Sequence, residues 1–219
     1  MRRFFDLDSP LMRTLARFTD LMFLNILTII CSLPIITMGA AVAALYGATA
    51  RLQEDEGHIF SNYFSCFREN FRQATCIWLI LLPIGAIIVL AILYYSNGNV
   101  KYPLIPSIIV ILGFVMWAST LSWAFPLQAR FYNTVKGTLR NAMICSVAFL
   151  WRSLLMTVLN LLPFFLFLYN LGVFMALAIG FVLVYFSGIA YINLKLLKKS
   201  FKSITPTEEW AGVEDEDDE

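Results

Sequence analysis

Hydrophobic positions along this chain fall in long unbroken runs, without the alternation of a half-buried strand or the one-sided stripe of a soluble helix. Residues 21–50, 73–100, 102–129 and 153–194 carry no charge, and together they make up 128 of the 219 residues. About 20 apolar residues span a bilayer as a helix, so the pattern predicts an all-α polytopic transmembrane bundle. The run at 153–194 is 42 residues long, too long for one crossing, and Tyr169-Asn170-Leu171-Gly172 near its middle supplies turn chemistry. It reads as a hairpin. The two 28-residue runs flank Ser96-Asn97-Gly98-Asn99-Val100-Lys101-Tyr102-Pro103, a polar loop, and read as a second hairpin.

The first run leaves a choice open. Its 30 residues are long for one helix and short for two, and Ser32-Leu33-Pro34-Ile35-Ile36-Thr37-Met38-Gly39 sits at the centre. Proline there removes a backbone donor and clashes with the preceding turn, giving either a kink or a reversal. Basic residues gather on the cytoplasmic side of membrane proteins. One crossing divides the 16 Lys and Arg residues 5 to 11, whereas a tight hairpin puts all but Lys101 on one face, 15 to 1. The expectation is six crossings near residues 14–33, 35–52, 75–95, 104–125, 148–168 and 172–194, with both termini cytoplasmic. The first helix then recruits residues from Thr14, with Arg17 reaching back to the interface. The N-terminal run reads as a retained membrane segment, since it lacks a small-residue cleavage site followed by a soluble body. Residues 1–205 are expected to form one membrane domain, followed by an acidic, disordered tail at 206–219.

Composition strengthens this picture. Hydrophobic residues make up 59% and charged ones 14%, against about 45–50% and about 25% in ordinary soluble domains. A soluble enzyme, a nucleic-acid-binding domain and a disulfide-stapled secreted domain are excluded. Net charge is only +1 because the charges are segregated: residues 214–219 are all acidic, and basic residues cluster in the stretches 51–72, 130–152 and 195–202 that follow each hairpin. Cys31, Cys66, Cys76 and Cys145 show no ligand spacing and read as small hydrophobes. His58, the single histidine, reads as a solvated loop residue.

Three features carry candidate sites. In the first basic stretch Phe60, Tyr63, Phe64, Phe67 and Phe71 recur at helical spacing, opposed by Asn62, Glu69 and Arg72. This predicts an amphipathic elbow lying in the interface, which either orients the next crossing or docks a partner through Phe64, Phe67, Arg68, Asn70 and Phe71. Arg140 and Asn141 before the fifth crossing belong to the same class. Gly39, Ala43 and Gly47 stand four apart and predict close helix packing, with homodimerisation through this face as the alternative and Ala40 on a looser, lipid-facing side. Ala176 and Gly180 repeat the pattern weakly. Ser32, Pro34 and Thr37 add polar groups and broken backbone at membrane depth, the best candidates for a solute-facing site. Lys195, Lys198, Lys199 and Lys202 share one helical face and suit anionic lipid headgroups.

No proposed crossing carries a charged residue at mid-depth, where proton relays and ion-coupled carriers need one. Asn25, Thr28, Ser119, Thr120, Ser122, Asn160, Ser187 and Asn193 are the polar candidates there, and they read as interhelical glue. The sequence has no phosphate-binding loop, no HExxH and no Gly-x-Ser-x-Gly. Hence no catalytic, metal-ligating or cofactor-binding residue is assigned, and no enzymatic activity is expected.

The stretch Ser32-Leu33-Pro34-Ile35-Ile36-Thr37-Met38-Gly39, the following Ala44-Leu45-Tyr46, and Phe64-Ser65-Cys66-Phe67-Arg68-Glu69-Asn70-Phe71 resemble the YesL family of bacterial integral membrane proteins. Arg140-Asn141-Ala142 resembles a further family segment. The family has no assigned activity. Its members are commonly encoded beside binding-protein-dependent sugar uptake systems and two-component sensors. The resemblance therefore implies a bacterial cell-membrane protein accessory to carbohydrate uptake, with a transporter or sensor kinase as partner. A permease or channel for a small solute such as a sugar is the competing expectation, and a lipid-acting membrane enzyme is a distant third.

Overall fold

The computed structural model describes residues 10–54, 58–96, 104–131 and 133–204. Among the described residues there are eight α-helices and no strand. The helices are α1 (Pro10–Ser32), α2 (Met38–Gln53), α3 (Ile59–Ser96), α4 (Leu104–Arg130), α5 (Val135–Ala148), α6 (Leu150–Tyr169), α7 (Leu171–Gly180) and α8 (Phe186–Ile204). A 3-10 turn, Ile35–Thr37, joins α1 to α2, and a π-helical turn, Phe181–Tyr185, joins α7 to α8. Six segments are long and apolar enough to cross a membrane: Thr14–Ser32, Ile35–Gln53, Ile59–Tyr95, Leu104–Arg130, Leu150–Tyr169 and Leu171–Lys198. The protein is an all-α polytopic bundle. The acidic tail, the loop around Asn97-Gly98 and the first nine residues lie outside the described residues.

The first run is a reversal. Pro34 is extended, with φ −75° and ψ 117°, and ends the helical path after Ser32. Broken backbone within a bundle needs substitute partners, and the turn has them. The Thr37 hydroxyl donates to the carbonyls of Cys31 (2.7 Å) and Pro34 (2.9 Å), and the Trp78 indole N–H donates to that of Ile35 (2.8 Å). Leu33, Ile35 and Ile36 point outward at this tip.

Helix α2 then runs through the middle of the molecule, packed by α1, α3, α4 and α8. Its small residues make that possible. A Cβ at Gly39 would lie 2.5 Å from the Ala74 carbonyl oxygen and 2.5 Å from the Trp78 Cβ, and one at Gly47 would lie 2.8 Å from the Cys66 Sγ. Ala43 is buried between them. Ala40 corrects the expectation of a lipid-facing side: it is as fully buried as Ala43, because helices surround α2 on every face. Gly85 of α3 is a further close approach, its Cα lying against the Trp117 ring. By contrast Gly180 faces open space and Ala176 is exposed, so that second small pair packs no helix among the described residues.

The elbow expectation also changes. Residues 59–72 do not form a separate helix; they continue without a break into the crossing as the 38-residue α3. At 1.5 Å per residue such a helix is about 57 Å long, nearly twice the hydrocarbon core. Its first turns lie against the α1/α2 hairpin, with Phe60 5.5 Å from Phe23 between ring centroids and the Tyr63 hydroxyl donating to the Ala41 carbonyl. This splits the aromatic stripe: Tyr63 is fully buried and Phe67 half-buried, whereas Phe60, Phe64 and Phe71 are exposed. The second basic stretch does form its own helix, α5, and the third simply extends α8.

Two other irregularities are paired with polar side chains. Pro163 leaves the Leu159 carbonyl without its helical donor, and the Tyr185 hydroxyl donates to it at 2.5 Å. The π-helical turn shifts backbone partners, and Asn25 of α1 fits it: its amide donates to the carbonyls of Phe181 (3.1 Å) and Val182 (2.6 Å), and its oxygen accepts from the Ser187 N–H (3.0 Å).

The contacts at Gly39 are backbone and Cβ atoms that cannot rotate away. Gly39→Ala should therefore destabilise the bundle by roughly 1–3 kcal/mol. Gly113 has nothing within 4 Å of its would-be Cβ, and Gly113→Ala should leave stability unchanged or raise it by up to about 1 kcal/mol. Thermal unfolding in a mild detergent compares the two, and equal losses would show that α2 is not the tight seam.

Candidate functional site

A recess in the bundle body opens at its charged end, where α2 finishes and α4 returns. Its volume is about 340 Å³. Arg51 in the last turn of α2 faces Glu69 of α3 at 3.8 Å, and Arg130 at the end of α4 faces Glu54 at 3.7 Å. Both pairs stand on the rim with side chains about a third to two-fifths exposed, so each contributes about 0–1 kcal/mol to stability.

One wall is far more fixed. Gln128 is buried in the last turn of α4, and its amide donates to Gln73 (2.6 Å) and Asn70 (3.3 Å) while its oxygen accepts from the Thr138 hydroxyl (3.0 Å). Thr134 caps α5 by accepting from the Gly137 N–H at 3.2 Å, which sets Thr138 one turn into the helix and within reach of Gln128. Asn70 in turn donates to the Cys66 carbonyl at 3.0 Å. Three helices are thereby tied at the cleft.

At the cleft's inner end Tyr46 begins a polar column. Its hydroxyl accepts from the Asn193 amide (2.9 Å); Asn193 reaches Asn160 (3.4 Å); Asn160 donates to the Ser122 hydroxyl (3.0 Å). Helices α2, α8, α6 and α4 contribute one residue each. The site offers both signs of charge, amides and a phenol, which is binding chemistry for a polar group.

The sequence-predicted residues divide between places. Gly47 and Asn70 line the cleft. Ser32, Pro34 and Thr37 lie at the opposite end of α2, about 20 Å away along the helix, and Thr37 is engaged with backbone carbonyls there. Phe64 and Arg68 flank a shallow surface depression with Glu69, and Phe71 is exposed farther along α3. Arg140 and Asn141 are exposed on α5. Lys195 is exposed with its ammonium 5.1 Å from the Tyr191 ring centroid, and Lys198 is half-buried. The side chains of Lys199 and Lys202 lie outside the described residues. None of the four cysteines forms a disulfide, and burial pushes the Cys145 thiol up.

Sequence reasoning missed Tyr46, Arg51, Glu54, Gln128 and Arg130 as a group. The signal was slight: charges at the ends of two apolar runs, and an amide two residues after Pro126.

Over residues 21–92 the chain is similar to a family described as "Protein of unknown function, DUF624". That segment includes the reversal, all of α2 and most of α3. No curated protein and no solved structure matches the chain.

Gln128→Leu would strand the Thr138 hydroxyl and the Gln73 and Asn70 acceptors, and should cost about 1–3 kcal/mol. Glu54→Gln on the rim should cost less than about 1 kcal/mol. Thermal unfolding of the two variants should rank them in that order, and the reverse order would place the structural weight on the rim.

Proposed function

We propose that the protein is a non-catalytic accessory or scaffold component of the bacterial cell membrane, with both termini cytoplasmic. The observation that carries this reading is how the bundle uses its interior polar groups. Asn25 binds the π-helical turn, Ser119 meets Thr157 at 3.3 Å, and the Trp123 indole donates to Ser153 at 2.8 Å. Thr28, Thr120 and Ser122 bond their own helix's carbonyls. Side chains spent on fixing helices favour a rigid partner surface over a lined path. The charged cleft, bounded by loose ion pairs, is the natural dock for a partner's polar segment. Exposed Phe60, Phe64 and Phe71 suit the lipid boundary beside it, and Lys195 and Lys198 suit anionic headgroups.

The partner class comes from the YesL resemblance. The matched segment at 21–92 includes residues 32–39, 44–46 and 64–71, on which that resemblance mainly rests. A carbohydrate transporter or its sensor kinase is accordingly the proposed partner. A second reading, a permease component for a small solute, is favoured by one observation: the cleft leads through Tyr46 toward Asn193, whose buried oxygen has no partner.

Purification from native membranes in a mild detergent, with bound proteins identified, tests the two readings. The first expects a transporter permease or sensor kinase at near-stoichiometric yield, and no flux of labelled sugar into liposomes holding this protein alone. Sugar flux by the isolated protein, without a co-purifying partner, would overturn it.

A further inference from the structure

We propose that the α1/α2 hairpin is re-entrant: its tip at residues 33–38 ends among the acyl chains of the leaflet next to the charged end, without reaching the far surface. Both helices have the length and composition of a crossing. The way α2 lies along α3 rules that depth out. The Cβ positions of Gly39 and Gly47 meet Ala74 and Cys66, so residues 39–47 of α2 run antiparallel beside residues 66–74 of α3. Arg68, Glu69 and Arg72 lie in that stretch of α3, and all three are exposed. Exposed charges are costly at mid-depth in a bilayer and belong in water or among headgroups. The middle of α2 is therefore level with the membrane interface at the charged end, and not with the bilayer centre.

The rest of α3 measures the depth. The Trp78 indole bonds the Ile35 carbonyl, which puts the tip six residues along α3 from Arg72, about 9 Å. From Leu79 to Ser96 α3 then continues for 18 residues without a charge, about 27 Å further. Leu79, Ile84, Ile87, Leu90 and Leu93 are exposed along it. Together these lengths slightly exceed a hydrocarbon core of about 30 Å, as a tilted helix with an arginine reaching back to the headgroups does. Were the tip at the far surface, the whole apolar length beyond Trp78 would stand in water.

The tip is built for that depth. Leu33, Ile35 and Ile36 point outward and bring only apolar side chains. Irregular backbone within the hydrocarbon needs protein partners for its polar groups. Side chains supply them here: Thr37 for the Cys31 and Pro34 carbonyls, and Trp78 for that of Ile35. The 15-to-1 division of Lys and Arg fits a hairpin that enters and leaves on one side as well as it fits two full crossings. The proposal is independent of the scaffold reading and of its partner.

A membrane-impermeant maleimide tests it, applied to intact cells and to inside-out vesicles, with each modified cysteine identified by peptide mass. Ile36 is 59% exposed, so neighbouring protein does not shield a cysteine there. Asn99→Cys, between α3 and α4 in sequence, and Lys136→Cys, at an exposed position of α5, should react from opposite faces. Ile36→Cys should react roughly tenfold or more slowly than either, from both faces, because forming a thiolate in hydrocarbon is costly. It should react once SDS unfolds the protein. Modification of Ile36→Cys at the Asn99→Cys rate from the Asn99 side would restore two full crossings. Modification at the Lys136→Cys rate from the Lys136 side would place the tip in water. Either result overturns the proposal. Leu33→Cys, at a position 75% exposed, takes its place if Ile36→Cys is not inserted. If Asn99→Cys reacts from the cytoplasmic face, the orientation proposed above fails, whereas the Ile36→Cys rates still decide re-entry.

Discussion

The bundle depends on the near absence of side-chain volume along α2. Helices within lipid gain little hydrophobic driving force from one another, so their association rests on dispersion contacts and hydrogen bonds that require close approach. Two glycines and six alanines among the 16 residues of α2 allow it. Four other helices close around this thin axis, and its bulky residues Leu45, Tyr46 and Leu52 are buried where those helices leave room. With the preceding turn, the segment Ile35–Gln53 has 19 residues, about 28 Å of rise and close to a hydrocarbon thickness. The reversal nevertheless meets α3 at Trp78, inside the uncharged run, which explains why its carbonyls are capped by Thr37 and Trp78.

A second constraint follows from the first. When helices pack this tightly, polar side chains between them are desolvated and need partners. The molecule meets this by pairing irregular backbone with a side chain from a neighbouring helix, as Tyr185 does at the proline of α6 and Asn25 at the π-helical turn. Among the described residues, Asn193 reaches two neighbouring side chains through its nitrogen and its buried oxygen is without a protein partner, as is the Thr75 hydroxyl. Asn193 stands one hydrogen bond behind Tyr46, the single aromatic side chain of α2, which also lines the cleft.

Much of the architecture is legible in the sequence because its causes are local. Run length separates the crossings, and the clustering of Lys and Arg resolves the ambiguous first run as a hairpin broken at Pro34. The four-residue spacing of Gly39, Ala43 and Gly47 marks a seam. Other features arise only on assembly. The lipid-facing side expected for Ala40 fails, since a helix of alanines has no face until its neighbours arrive. The elbow reads as a separate surface helix because its polarity changes near Gln73, yet backbone hydrogen bonding carries α3 straight through that change. The cleft draws on residues from Tyr46 to Leu194, and no spacing along the chain announces it. Asn160 and Asn193 stand out as polar residues in apolar runs, but their link to Tyr46 is a tertiary fact.

The central claim, that α2 is an internal axis and not a surface for a second copy, is tested most directly at Gly47. A Cβ there would lie 3.2 Å from the Cys66 Cβ and 2.8 Å from its sulfur, a few tenths of an ångström inside the usual Cβ separation of about 3.5–4.5 Å for a disulfide. Gly47→Cys should therefore oxidise in native membranes to a disulfide with Cys66 of the same chain, recovered as a cross-linked peptide joining residues 47 and 66. A disulfide joining residue 47 of two chains, or a residue-47 thiol that stays free, would contradict the account.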